Sequence, residues 1–231
     1  MKKLLIYVMM AFLMPTASMA QNTAKDWLKK GQDHYQKYEF KESFKWCMKA
    51  AEKGLAEAQY LVSKMYENGD GVEEDEKLAF QWCRKAAENG YAKAQFTLGE
   101  YYDEGVGVRS NSKEAFQWYL KGALAGNKNA QEEAEDLIED MPKEIQQKAF
   151  EQILSAAKNG SEWAQLTASE CYEEGIGTEE NEKQAAYWYE EYTKTHASKG
   201  SKTQLKKTKK QSIKEYQEAF EKSQKQSKRK D

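Results

Sequence analysis

The feature that most constrains this chain is self-similarity. Starting at Ala58, Ala94 and Ala164 the sequence reads AQYLVSKMYENGDGVEEDEKLAFQWC, AQFTLGEYYDEGVGVRSNSKEAFQWY and AQLTASECYEEGIGTEENEKQAAYWY. A tyrosine follows each alanine by eight residues (Tyr66, Tyr102, Tyr172) and a tryptophan by 24 (Trp82, Trp118, Trp188). Between them lie the glycine pairs Gly69/Gly71, Gly105/Gly107 and Gly175/Gly177. The first two copies start 36 residues apart and the third starts 70 further on, which leaves room for one eroded unit. Gly54, Gly90, Gly126 and Gly160 mark the unit ends. A fixed period of this size signifies a repeat array in which no unit can bury its apolar face alone.

Inside a unit the apolar residues keep helical spacing. Ala94, Leu98 and Tyr102 recur every four residues, and Ala115, Phe116, Tyr119 and Ala123 every three or four after the glycines. Each unit therefore reads as two antiparallel helices joined by a glycine turn. Asp75, Asn111 and Asn181 occupy equivalent N-cap positions of the second helix. Glu114 and Gln184, three residues later, predict capping boxes. The glycine pair could be taken for a phosphate loop, but such a loop follows a strand and occurs once per fold. Here it follows a helix three times, so it reads as a turn that needs left-handed backbone.

The succession of alanine, leucine-glycine, aromatic, G-x-G-V, polar cap, K-x-A, W-Y and K-A-A with a closing glycine resembles the Sel1-like repeat family, relatives of tetratricopeptide repeats. Ala94 to Gly126 matches almost throughout. Ala58 to Gly90 departs at Ser63 and Cys83, and the third copy at Ala168, Ser169 and Thr178. Asp26 to Gly54 keeps the second half, FKWCMKAAEKG, behind a shorter glycine-free turn. Ala130 to Gly160 lacks the glycine turn and the tryptophan. The resemblance implies an all-α fold, a right-handed α-solenoid of about five antiparallel helical hairpins (units about 26–54, 56–90, 92–126, 128–160 and 162–196). It also implies that the first helix of each hairpin lines the concave side. By register the partner-facing candidates are Tyr60, Lys64 and Glu67; Phe96, Glu100 and Asp103; and Trp163, Leu166 and Glu170. Lys93 and Glu104 flank the middle set. This face, rich in acids with an aromatic or apolar anchor per unit, suits a basic segment with hydrophobic side chains.

Residues 1–20, MKKLLIYVMMAFLMPTASMA, have the layout of a secretory leader cleaved after Ala20: two lysines, a short apolar run and a small-residue exit. The run is shorter than the roughly 20 apolar residues that span a bilayer. The expectation is an exported protein, periplasmic or secreted. Charge is divided along the chain: 199–231 holds 12 Lys/Arg against 4 Asp/Glu, whereas 21–198 holds 22 against 34. Such asymmetry predicts self-association or two partner classes. In the basic segment Ile213, Tyr216 and Phe220 fall at helical spacing, which predicts an amphipathic helix over about 205–222 that caps the last repeat.

The inventory for catalysis is thin. His34 and His196 stand near opposite ends, and three scattered cysteines, Cys47, Cys83 and Cys171, offer no zinc-ligand spacing. No GxSxG, HExxH or CxxC occurs. Cys47 and Cys83 share one repeat position, about 10 Å apart in a stacked array, too far for a disulfide. The cysteine-rich branch of the resembled family pairs cysteines within each hairpin, a pattern this chain lacks. Acids such as Glu73 and Glu76 lack calcium-loop spacing, and the strict phase of Trp46, Trp82, Trp118 and Trp188 favours packing between units over ligand stacking.

The expected function is a non-enzymatic protein-interaction scaffold of the cell envelope, without cofactor or metal and without nucleic acid. A membrane-surface adaptor working through the basic tail on anionic lipid is the alternative. A hydrolase of cell-wall material or β-lactams is a third reading, for which no nucleophile–base pair is present.

Overall fold

The computed structural model describes residues 23–197, with side chains through Lys194. The leader, the basic segment with Ile213, Tyr216 and Phe220, and the side chain of His196 lie outside the described residues. Among the described residues there are ten helices and no strand. They are α1 (23–36), α2 (Phe40–Glu52), α3 (Ala56–Asn68), α4 (Glu76–Glu88), α5 (Ala92–Glu104), α6 (Ser112–Leu124), α7 (Lys128–Ile138), α8 (Lys143–Lys158), α9 (Glu162–Glu174) and α10 (Glu182–Ala197). The fold is an all-α solenoid of helical hairpins, as the resemblance implies. It divides into two compact bodies: α1 to α7, ending at Met141, and α8 to α10, starting at Pro142. The division falls inside the eroded unit, between its two helices.

The N-caps form as expected. Asp75 Oδ1 accepts from the Leu78 N–H at 2.9 Å, and Asn111 Oδ1 from the Lys113 and Glu114 N–H groups at 3.2 and 3.3 Å. Asn181 Oδ1 accepts from the Gln184 N–H at 3.1 Å. The reciprocal half of the capping box does not form. The cap residue's own N–H is already taken by a tyrosine carbonyl across the turn: Asn111 by Tyr102 at 2.7 Å and Asn181 by Tyr172 at 2.7 Å. Glu114 and Gln184 therefore have no cap N–H left to accept from. The recurring tyrosine thus closes the glycine turn with its backbone.

Its ring clasps the preceding unit. Phe44–Tyr66, Phe80–Tyr102 and Phe150–Tyr172 are edge-to-face pairs with centroids 5.3, 5.4 and 5.0 Å apart, each joining a second helix to the next first helix. Such pairs contribute about 1 kcal/mol beyond the area they bury. A second clasp is polar. Gln59, Gln95, Gln131 and Gln165 donate from Nε2 to the carbonyls of Ala51, Ala87, Ala123 and Ala157 at 3.2–3.3 Å. Each glutamine adds a second donor to a last-turn carbonyl of the preceding helix that already accepts from the N–H of the closing glycine, Gly54, Gly90, Gly126 or Gly160. The eroded unit retains this glutamine although it has lost its tryptophan.

The tryptophans pack between units. Trp82 rests on the cluster of Leu28, Cys47, Val62 and Met65, and Trp118 joins that of Phe80, Cys83, Leu98 and Tyr101. A lysine three residues along the helix covers each ring: Lys49 over Trp46 at 4.2 Å, Lys85 over Trp82 at 4.0 Å and Lys121 over Trp118 at 3.7 Å. All three cysteines are buried, and none is in a disulfide.

The second glycine of each pair has a role that spacing alone does not show. A Cβ on Gly107 (φ +66°) would lie 2.1 Å from the Glu76 carbonyl oxygen, at the start of the preceding unit's second helix. Gly71 meets the Phe40 carbonyl at 2.2 Å and Gly177 that of Gln146 at 2.3 Å in the same way. The turn of one hairpin is pressed backbone-to-backbone against its predecessor. In the first hairpin, whose turn has no glycine, Tyr38 takes the left-handed conformation (φ 61°).

Candidate functional site: the groove along α3, α5 and α7

Alanines inside and long side chains outside leave one face of α3, α5 and α7 open. Tyr60, Lys64, Lys93, Phe96, Thr97 and Glu100 line a groove of about 610 Å³ there, closed at one end by Ala125 to Asn129. Four of the sequence-predicted residues, Tyr60, Lys64, Phe96 and Glu100, are thus brought together. Tyr60 stacks tilted on Tyr91 at 5.4 Å, and Phe96 on Tyr119 at 5.7 Å. Both anchors are half-buried and held by neighbouring rings, so their orientation is set before any partner arrives.

Glu67 and Asp103 lie beside the groove. Glu67 forms an ion pair with Lys64 and accepts from the Tyr101 hydroxyl at 2.8 Å. Asp103, exposed, belongs to a set of carboxylates with Glu100, Glu104 and Glu133 that pushes the Tyr119 phenol upward, although burial of that phenol is the larger cause. Trp163, Leu166 and Glu170 sit on α9, in the body of α8 to α10. There Trp163 and Leu166 are half-buried and Glu170 is exposed.

Burial raises the Glu100 carboxyl above its ordinary value of 4.5, reinforced by Glu104 and Glu67 and opposed by Thr97 and Lys64. A carboxyl raised in the folded state is harder to ionise there than in the unfolded chain. Its ionisation therefore costs stability as pH rises through 4.5 to the folded value, and that loss persists above it. Glu100→Gln should accordingly raise the thermal midpoint at pH 7 and leave it unchanged at about pH 3.5, where both states are protonated. Thermal melts of the two proteins at both pH values check this. An equal midpoint at pH 7 would show that Glu100 is not penalised by its surroundings.

Two features of the site were not visible to sequence reasoning. The eroded unit contributes a wall: α7 brings Lys128 and Asn129 to one end of the groove and Glu133 toward the carboxylates at the other. The register used for the intact copies could have located them, had the loss of the glycine turn not set that unit aside. The groove is also bipolar rather than uniformly acidic. Lys93 and Lys128 stand at the amino-terminal ends of α5 and α7, whereas Glu100, Asp103 and Glu104 stand toward the carboxyl end of α5, where the cation Lys64 faces Glu100 and is paired with Glu67.

Chemistry elsewhere is quiet. The Cys83 thiol, pushed up to about 12 by burial, donates to the Ala94 carbonyl at 3.4 Å; a thiol held protonated is a poor nucleophile. His34 Nδ1 meets Glu39 Oε2 at 2.5 Å at the exposed first turn. Among the described residues no group of His, Cys, Asp or Glu is placed to hold a metal ion, and no helix is long and apolar enough to cross a membrane.

The Sel1 repeat family model matches residues 22–55, 56–91, 92–127 and 164–191, more than half of the chain. The first match includes the glycine-free hairpin, and the gap falls on the eroded unit. Among solved structures the chain is similar to a Sel1 repeat protein from Oxalobacter formigenes, at 34% identity over 67% of this chain and 62% of that one, with a TM-score of 0.43. It is also similar to c5321, a protective antigen of uropathogenic Escherichia coli strains with an SLR fold, at 28% identity over 75% of this chain and 38% of that one, TM-score 0.51. The chain thus spans under two thirds of the length of either. No curated protein matches it. Sel1 repeat proteins are typically non-enzymatic scaffolds, and their fold mediates contact with protein partners. Three consecutive matched units and a fourth, on hairpins of the expected form, make this chain a member of the Sel1 repeat family.

Proposed function

We propose that this protein is an exported, non-enzymatic adaptor of the cell envelope that binds a segment of a protein partner in the groove along α3, α5 and α7. The observation that carries this reading is the pair of half-buried aromatic anchors, Tyr60 and Phe96, in one recess rimmed by charged side chains. In a recess whose other walls are largely polar, the two fixed rings suit an apolar side chain of a partner, and the charged rim selects its flanking charges. The carboxylates around Glu100 favour basic residues on that segment.

The test uses the full chain immobilised and exposed to the native envelope fraction. Tyr60→Lys with Phe96→Lys should abolish capture of a specific partner, by at least about a hundredfold in affinity for two lost anchors, with the far-UV spectrum retained and a cooperative melt at a somewhat lower midpoint. Capture unchanged in that double variant would remove the groove from the account. Export is checked separately by the amino terminus of the protein recovered from the envelope, expected at Gln21.

A further inference from the structure

The bipolar groove specifies more than a basic partner: it specifies an order of charges. Along α5, Lys93 and Asp103 are ten residues apart, about 15 Å at 1.5 Å per residue. A segment that fits must carry acids at one end, apolar anchors in the middle and bases at the other, within a similar length.

One such segment lies in this chain. LKKTKKQSIKEYQEAFEK, residues 205–222, begins with four lysines at 206, 207, 209 and 210. Ile213, Tyr216 and Phe220 follow at helical spacing with the opposed charges Lys214 and Glu215 between them, and Glu218 and Glu221 stand among the last, before Lys222. As a helix, the centre of the lysine block and that of the glutamate pair would be separated by about 17 Å. The order and the span both match the groove. The net charges match as well, since 199–231 carries a surplus of bases while 21–198 carries a surplus of acids.

We propose that residues 205–222 of a second copy seat in this groove, lysines toward Glu100 and Asp103 and glutamates toward Lys93 and Lys128, so that the protein self-associates head to tail. The proposal rests on the reading of the groove as a binding surface. It names the occupant as the chain's own segment. Groove and segment are different patches, so the contact is heterologous and an open assembly retains one free groove at one end and one free segment at the other. A foreign partner would then have to compete with self-association, which sets a threshold concentration for its capture.

The experiment is sedimentation velocity on the full chain over a wide concentration range. Mass-average size should rise with concentration at low salt and return to monomer at about 0.5 M salt, where the screening length is roughly 4 Å. Glu100→Lys with Asp103→Lys should weaken association by about tenfold or more, and so should Lys206→Glu with Lys207→Glu and Lys209→Glu. Mixing these two reversed variants should restore association, which a misfolded variant could not do. Carbodiimide coupling of isotopically light and heavy copies should join Lys206–Lys210 of one copy to Glu100 or Asp103 of another.

A chain that stays monomeric at low salt, joins formed only within single copies, or a mixture that fails to associate would overturn the proposal. So would phosphatidylserine vesicles that bind the segment in a full chain showing no self-association. The two readings fail separately. Partner capture lost in Tyr60→Lys/Phe96→Lys by a strictly monomeric protein sinks head-to-tail assembly and spares the groove. Restored association with no foreign partner captured spares both the groove and the assembly, and sinks only the adaptor role toward a foreign protein.

Discussion

Gly107→Ala is expected to destabilise this protein by about 3 kcal/mol or more. Two penalties combine there. The residue sits at φ +66°, where an L side chain costs roughly 1 kcal/mol. The new Cβ would also lie 2.1 Å from the Glu76 carbonyl oxygen, 2.6 Å from its carbon and 3.0 Å from the Lys77 nitrogen. These are backbone atoms of α4, and moving them means parting two hairpins along the Phe80–Tyr102 clasp. Gly105→Ala is the internal control. Its φ is +82°, but the nearest atoms to its Cβ are at 3.4 Å, so it should cost only the backbone penalty. Urea unfolding of both variants, read as midpoints at unchanged slope, measures the difference. Equal midpoints would mean that the turn does not bear on the neighbouring unit.

Gly99→Ser should cost about 2 kcal/mol alone and recover most of it when combined with Tyr119→Cys. Gly99 lies inside α5, where glycine is otherwise unfavourable, because the Tyr119 ring occupies the space of its missing side chain: a Cβ would come within 2.4 Å of the ring. The other hairpins show how the pair is exchanged. Where α3 has Ser63, its hydroxyl donates to the Ala79 carbonyl at 2.7 Å and the facing residue is the small Cys83. Where α9 has Ser169, donating to Ala185 at 2.8 Å, the equivalent residue is still a tyrosine, and it lies at the surface of the last described helix. Tyr189 is 41% exposed, whereas Tyr119 is 2% exposed. A double-mutant cycle on unfolding free energy reads the coupling directly. Independent, additive effects of the two substitutions would refute the exchange. Phe96, which leans on Tyr119, gives a second readout, since Gly99→Ser should also loosen a groove anchor.

Much of this was open to inspection without coordinates, and the residues show why. Helix pairing and the caps at Asp75, Asn111 and Asn181 follow from local spacing. Local spacing is repeated three times over, which removes chance. The Ser63 and Cys83 departures were legible as departures, but their compensation was not, because they are 20 residues apart in sequence and meet only across a hairpin. The missing half of the capping box is a matter of competition. Glu114 is a suitable acceptor, but the Tyr102 carbonyl reaches the Asn111 N–H first. The acids of α7 went unassigned because the eroded unit carries no turn glycine to announce its register.

By itself the sequence determined that this chain is a stack of helical pairs, since a period of 36 residues with one apolar face per helix admits no closed unit and no sheet. It also determined which residues of each first helix avoid the core. What tertiary structure alone decided is the chemistry of the surface those residues make. Lys93, Glu100 and Lys128 belong to different units or opposite ends of a helix. Whether they form an acidic patch or a groove with two poles depends on how closely α5 and α7 stack. That closeness is set by Gly122, where a Cβ would meet Ala130 at 2.9 Å, and by Gln131 on the Ala123 carbonyl, contacts between units that a single repeat does not contain.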